Sequence, residues 1–247
     1  MGQDHARSLN QSTSLLLLGI ASAAFDVGCV LIKAPFLRSG VTAGDGIEAI
    51  GVFVVLALFA RVARAAGGAD LPRSGGAPRE GVILGIAATA FAFGHGIHVA
   101  ANSIHDLADR SGLGDPTGLL SFWDENVGHY LVDSARVLFA ISLTSISWGA
   151  GSGAARAGAL ALAGGIPFGF TVFASAVEGQ TVPLVLPFSA LYAGWSLLAR
   201  DRFRRGGAVR AFFTAAAWTS LLFFAIWGVW QHGFPEFTRA GIIHSAH

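Results

Sequence analysis

Between Phe91 and Asp133, His95, His98, Asn102, His105 and Asp109 follow one another at spacings of three or four. Glu125, His129 and Asp133 then recur at i, i+4, i+8. On a helix each series lines one face. The stretch holds four of the eight histidines and six of the fifteen acidic residues, in a chain that is only 13% charged. Imidazole nitrogen beside carboxylate oxygen suits two chemistries. It can bind zinc or non-haem iron, or it can relay protons. A lone histidine at a membrane surface has a blander reading, a hydrogen bond at headgroup level, and His5, His244 and His247 lie in tails. Three histidines on one face with a fourth on the next helix are a candidate site.

The elements that must position them are apolar. Of 247 residues 53% are hydrophobic, and mean hydropathy is positive. Runs of about 20 apolar residues, enough to cross a ~30 Å hydrocarbon layer, recur along the chain. The pattern predicts an all-α polytopic membrane protein, one domain of seven transmembrane helices. The spans run from about Ser14 to Phe36, Ile47 to Val62, Gly81 to Ser103, Glu125 to Trp148, Ala157 to Val177, Thr181 to Leu198 and Ala211 to Trp230. The start of the first span, Ser14 to Ala24, resembles a signal-peptide core, but the apolar pattern resumes after Asp26. A kink or a local opening is expected in the fifth span at Gly164-Gly165-Ile166-Pro167. The segment from Ile104 to Trp123 reads as a loop covering the mouth of the site, anchored by Phe122 and Trp123.

Arginine concentrates between spans two and three, four and five, and six and seven. These loops share one side, which the positive-inside rule makes cytoplasmic. The N-terminus is then cytoplasmic and the C-terminus extracytoplasmic. The histidines, Glu125, Asp133, Glu178 and His232 gather toward the extracytoplasmic face, and Asp26 comes out level with His95. Ionisable groups at such depth cost at least ~2.5 kcal/mol each and are usually functional. Asp133 and Arg136, at i and i+3, can form an ion pair within their helix.

Composition also excludes. A net charge of +1 with no basic stripe argues against nucleic acid. The single cysteine, Cys29, rules out an internal disulfide and a thiolate metal cluster. The only lysine, Lys33, falls in the first span and none in the seventh, so a retinal Schiff base is not expected. There is no Gly-x-Ser-x-Gly and no phosphate-cradling loop.

Seven spans with histidines and acidic residues at one membrane face resemble the alkaline ceramidase and adiponectin-receptor superfamily of membrane hydrolases. The resemblance covers the span count and His95 to Asp133. It implies a zinc held by three histidines, activating water against a lipid amide. The family's His-x-x-x-His on the last helix is represented only by His232, the residue four further on being Glu236. The leading expectation is a metal-dependent membrane hydrolase acting on a lipid-like substrate. In it His95, His98 and His129 hold the metal, zinc first, with His232 as a fourth ligand. Glu125 or Asp133 acts as general base on the bound water. The alternatives are a proton-coupled transporter or channel using the same residues as a relay, and a haem or copper protein. In every case His98, His129 and Asp133 are expected to meet in the bundle interior.

Overall fold

A computed structural model describes residues 2–32, 35–36, 38–67, 79–115, 118–149, 158–199 and 207–242. The chain forms α1 (Gly2–Leu31), α2 (Ala43–Gly67), α3 (Arg79–Arg110), α4 (Leu119–Ser121), a π-wound segment (Phe122–Gly128), α5 (His129–Gly149), α6 (Gly158–Glu178), α7 (Val182–Leu198) and α8 (Gly207–Gln231). A short antiparallel hairpin, β1 (Pro35–Phe36) with β2 (Arg38–Thr42), joins α1 to α2. Helix follows from the need to satisfy every backbone N–H and C=O inside the segment once water is excluded. Among the described residues six helices are long and apolar enough to cross a membrane, α4 to α5 counting as one continuous rod. The remaining apolar helix, α7, has 17 residues. At 1.5 Å per residue it is about 25 Å long, a turn short of a full span.

Helix starts are set by local chemistry. Before α2, Asp45 Oδ2 accepts the Thr42 N–H at 2.6 Å and the Thr42 hydroxyl at 2.9 Å. Thr42 Oγ1 in turn accepts the Asp45 N–H at 3.2 Å. This reciprocal pair satisfies donors that helix geometry leaves free. Before α4, Asp115 accepts the backbone N–H of Leu119 at 3.1 Å and of Ser121 at 3.0 Å. Those bonds, the Ser121 N–H foremost, hold the Asp115 carboxyl below its ordinary pKa.

Burial is inverted relative to a water-soluble domain. Large apolar side chains such as Phe53, Leu191 and Val229 are exposed, while Asp45, Glu48, Asp124, Asp133 and Arg136 are buried. A lipid-facing exterior explains the first set, and the second must find partners inside. The principal seam joins α6 to α8. Gly165 and Gly169 lie there against the backbone of Phe212 and Ala216. Of the kink or opening expected at Gly164-Gly165, the opening is not found: α6 is one helix with Pro167 inside it, and its glycines serve close packing.

Two expected boundaries move. α3 continues to Arg110 and helix resumes at Leu119, so the expected cover from Ile104 to Trp123 is largely helical and only 111–118 connect the two rods. The connections 68–78, 150–157 and 200–206, which carry Arg73, Arg156, Arg200, Arg202, Arg204 and Arg205, and the tail histidines His244 and His247, lie outside the described residues.

Candidate functional site

The α3–α5 contact sets the site. A methyl group at Gly94 would lie 2.7 Å from the Gly128 carbonyl oxygen, and one at Gly128 would lie 3.3 Å from the His98 Cβ. The two glycines let α3 press directly on the π-wound turn. π winding widens that turn by one residue and brings Asp124 into the interior, where it is 5% exposed.

His98 consequently stands among acidic groups. Its Nδ1 is 2.5 Å from Asp124 Oδ1, an ion-pair approach that lies off the line of an ordinary hydrogen bond. Its Nε2 is 3.6 Å from Glu48 Oε2. The other oxygen of Glu48 meets His95 Nδ1 at 2.7 Å. One carboxylate from α2 thus bridges two of the three histidines of α3. One turn further along α3, Asn102 Nδ2 donates to Asp45 Oδ1 at 3.2 Å. The chain of groups is His95, Glu48, His98, Asp124, and beside it His129, whose ring centre lies 4.8 Å from that of His98. His129 Nε2 and Glu125 Oε2 are buried and carry no hydrogen bond.

A second cluster lies one to two turns deeper. Arg136 donates through Nη1 to Asp133 Oδ1 and through Nη2 to Asp26 Oδ2, each at 2.8 Å. Asp133 also accepts hydrogen bonds from the Ser175 hydroxyl at 3.1 Å and from the Thr181 hydroxyl. The guanidinium carbon sits 5.9 Å from the Phe91 ring centre, over its electron-rich face. Four helices, α1, α3, α5 and α6, and the α6–α7 turn therefore converge on one ion triad.

The sequence-derived residues divide between these clusters. His95, His98 and His129 share the first, with Glu125 at its edge. Asp133 does not join His98 and His129 as expected. Its carboxylate is taken by Arg136, Ser175 and Thr181, because the nearest cation lies on its own helix. The longer α3 and the early start at Leu119 set His98 against Asp124 instead. His105 faces Asp109 at 3.6 Å in a half-exposed position. His232 stands beyond α8 with a left-handed backbone, φ 52°. The four-histidine metal set does not converge. Among the described residues no three His, Cys, Asp or Glu side chains come together to hold one ion. Glu48 occupies the space between His95 and His98 that a shared ion would need. The residues do not fit a three-histidine zinc.

Glu48, Asp45 and Asp124 were missed. The signal was available: Asp45 and Glu48 stand at i, i+3 at the head of an apolar run, the same anomaly that marks Asp26.

At the same end the chain folds back over α6 and α8. Glu178 accepts the Phe237 N–H at 3.0 Å and the Thr238 hydroxyl at 2.8 Å. Trp227 Nε1 donates to the Pro235 carbonyl at 3.1 Å. In this strap the Glu236 carboxyl is pushed above its ordinary pKa by burial and by Glu178, against the opposing pull of Arg239.

Comparison with protein-family models, curated proteins and solved structures finds no match.

Proposed function

We propose that the protein is a proton-coupled transporter of a small solute, with the histidine cluster as its proton entry. One observation carries this reading: the histidines pair in sequence with carboxylates, His95 with Glu48 and His98 with Glu48 and Asp124. Such a chain passes a proton in short steps, each histidine taking it on one side and giving it up on the other. The deeper Asp26–Arg136–Asp133 triad is the charge that protonation would rearrange. In this reading α7 is the seventh span, the histidine end is extracytoplasmic, and the N-terminus is cytoplasmic.

The test is made in proteoliposomes carrying an internal pH dye. An imposed inward pH gradient should collapse faster than in empty vesicles when a mixture of small carboxylates, amines, amino acids and sugars is present. His98→Ala should slow this at least tenfold. A wild-type rate equal to empty vesicles overturns the reading. One zinc bound per purified chain would instead return the protein to the hydrolase expectation, with the unpartnered His129 Nε2 and Glu125 Oε2 as the first donors to examine.

A further inference from the structure

Beneath the ion triad the helices α5 to α8 leave a cavity, closed at one end by Asp133 and Arg136. Its walls are apolar, with Phe168, Phe188 and Phe213 prominent. The far end carries Ser189 and Ser220, whose hydroxyls are 3.0 Å apart. On α5 it runs from Asp133 to Ala140 and on α7 from Val185 to Tyr192. Seven residues at 1.5 Å each make it roughly 10 Å long. At about 30 Å³ the space is narrower than an ordinary small-molecule site, though concave and mostly apolar with a few convergent polar groups like one, so a ligand enters it only as the phenylalanine side chains part.

The polar end has an unmet demand. Arg136 is 5% exposed, with Nη1 and Nη2 engaged by the two aspartates. Its Nε is buried and has no acceptor among the described residues. A guanidinium donates to planar anions in a two-pronged geometry, and Nε with the adjacent Nη is one such face. With both aspartates ionised the triad carries one net negative charge. Adding an anion in a low-dielectric interior would make it two, unless one proton is taken up at the same time.

The two aspartates are unequal. The Asp133 side chain is fully buried and holds the Ser175 and Thr181 hydroxyls besides Arg136. The Asp26 side chain is 24% exposed, and its described hydrogen bond is to Arg136. Asp26 is therefore the carboxylate that can leave.

We propose that this cavity binds a short-chain monocarboxylate, its carboxylate on Arg136 and its apolar body between the phenylalanines, with one proton taken up by Asp26 as the anion displaces it from the guanidinium. The balance closes: one anion and one proton enter, and the net charge of the triad stays at minus one. This deepens the transport reading and rests on it for the proton's route, but the binding step can be measured alone.

The probe is butyrate, titrated calorimetrically into purified full-length protein in two buffers of different ionisation heat. Saturable binding with uptake of about one proton per butyrate is expected, and butyramide should not bind. Ala217→Phe, which fills the cavity without touching the ion pairs, should weaken binding at least tenfold, as should Arg136→Gln. Asp26→Asn should still bind butyrate but take up no proton. No butyrate binding by the wild type overturns the proposal, as does binding unaffected by Ala217→Phe or a preference for oleate over butyrate. Butyrate binding retained with a flux no greater than empty vesicles would sink only the relay. Flux that depends on His98 without butyrate binding would sink only this site.

Discussion

At the scale of single residues, Glu48 carries the most. It is 7% exposed and is the only carboxylate among the described residues that touches both His95 and His98. Removing one partner of a buried, hydrogen-bonded charge pair costs about 3 kcal/mol or more, because the remaining groups stay desolvated and unpaired. Glu48→Gln should therefore lower unfolding stability in detergent by about that amount and slow proton flux as His98→Ala does. Exposed Arg79→Gln should do neither. Glu236 gives a pH dependence of known sign. Its folded pKa stands above the ordinary 4.5, so the folded strap holds the proton more tightly than the unfolded chain. Stability contributed by the strap is then lost as pH rises from near 4.5 through the raised value. Hydrogen exchange at the Phe237 amide should accelerate over that window beyond its chemical rate, and Glu236→Gln should remove the excess.

At the scale of elements, the site is a product of how closely α3 approaches the π-wound turn. Gly94 makes that approach, and the interior position of Asp124 depends on it. Gly94→Leu should leave helix content by circular dichroism near wild type while abolishing His98-dependent flux. A fully active Gly94→Leu protein would mean that the α3–π-turn contact does not set the site. Gly179 does similar work from the α6–α7 turn, since any Cβ there would meet the His129 ring. The 3.6-residue periodicity shows that the histidines share a face. It carries no information on the register between two faces, and in the fold Asp124 rather than Asp133 is the carboxylate that meets His98.

At the scale of the whole molecule, charge is sorted between two ends. His95, His98, His129, Asp124, Glu125, Glu178 and Glu236 lie at one end, and Arg61, Arg64, Arg79 and Arg210 stand at the opposite ends of their helices. If the arginine loops are cytoplasmic, a reporter fused after His247 should be active only outside the cytoplasm. A fusion active inside would place the proton entry on the inner face. The triad on Arg136 ties α1 and the α6–α7 turn to α5, so movement of Asp26 would be felt between the two sides of the bundle.

The sequence by itself determined the helical class, the membrane setting and the list of groups too costly to face lipid. Length, hydropathy and the price of burying charge are local properties, each readable from a short window. It also paired Asp133 with Arg136, because i and i+3 on one helix are neighbours in any fold. The meeting of His98 with Asp124 and Glu48, of Asp26 with Arg136 across 110 residues, and the separation of Asp133 from the histidines were decided by tertiary structure alone. Those contacts depend on which glycines let helices touch and where each helix stops, and neither is expressed in the spacing of the residues that react.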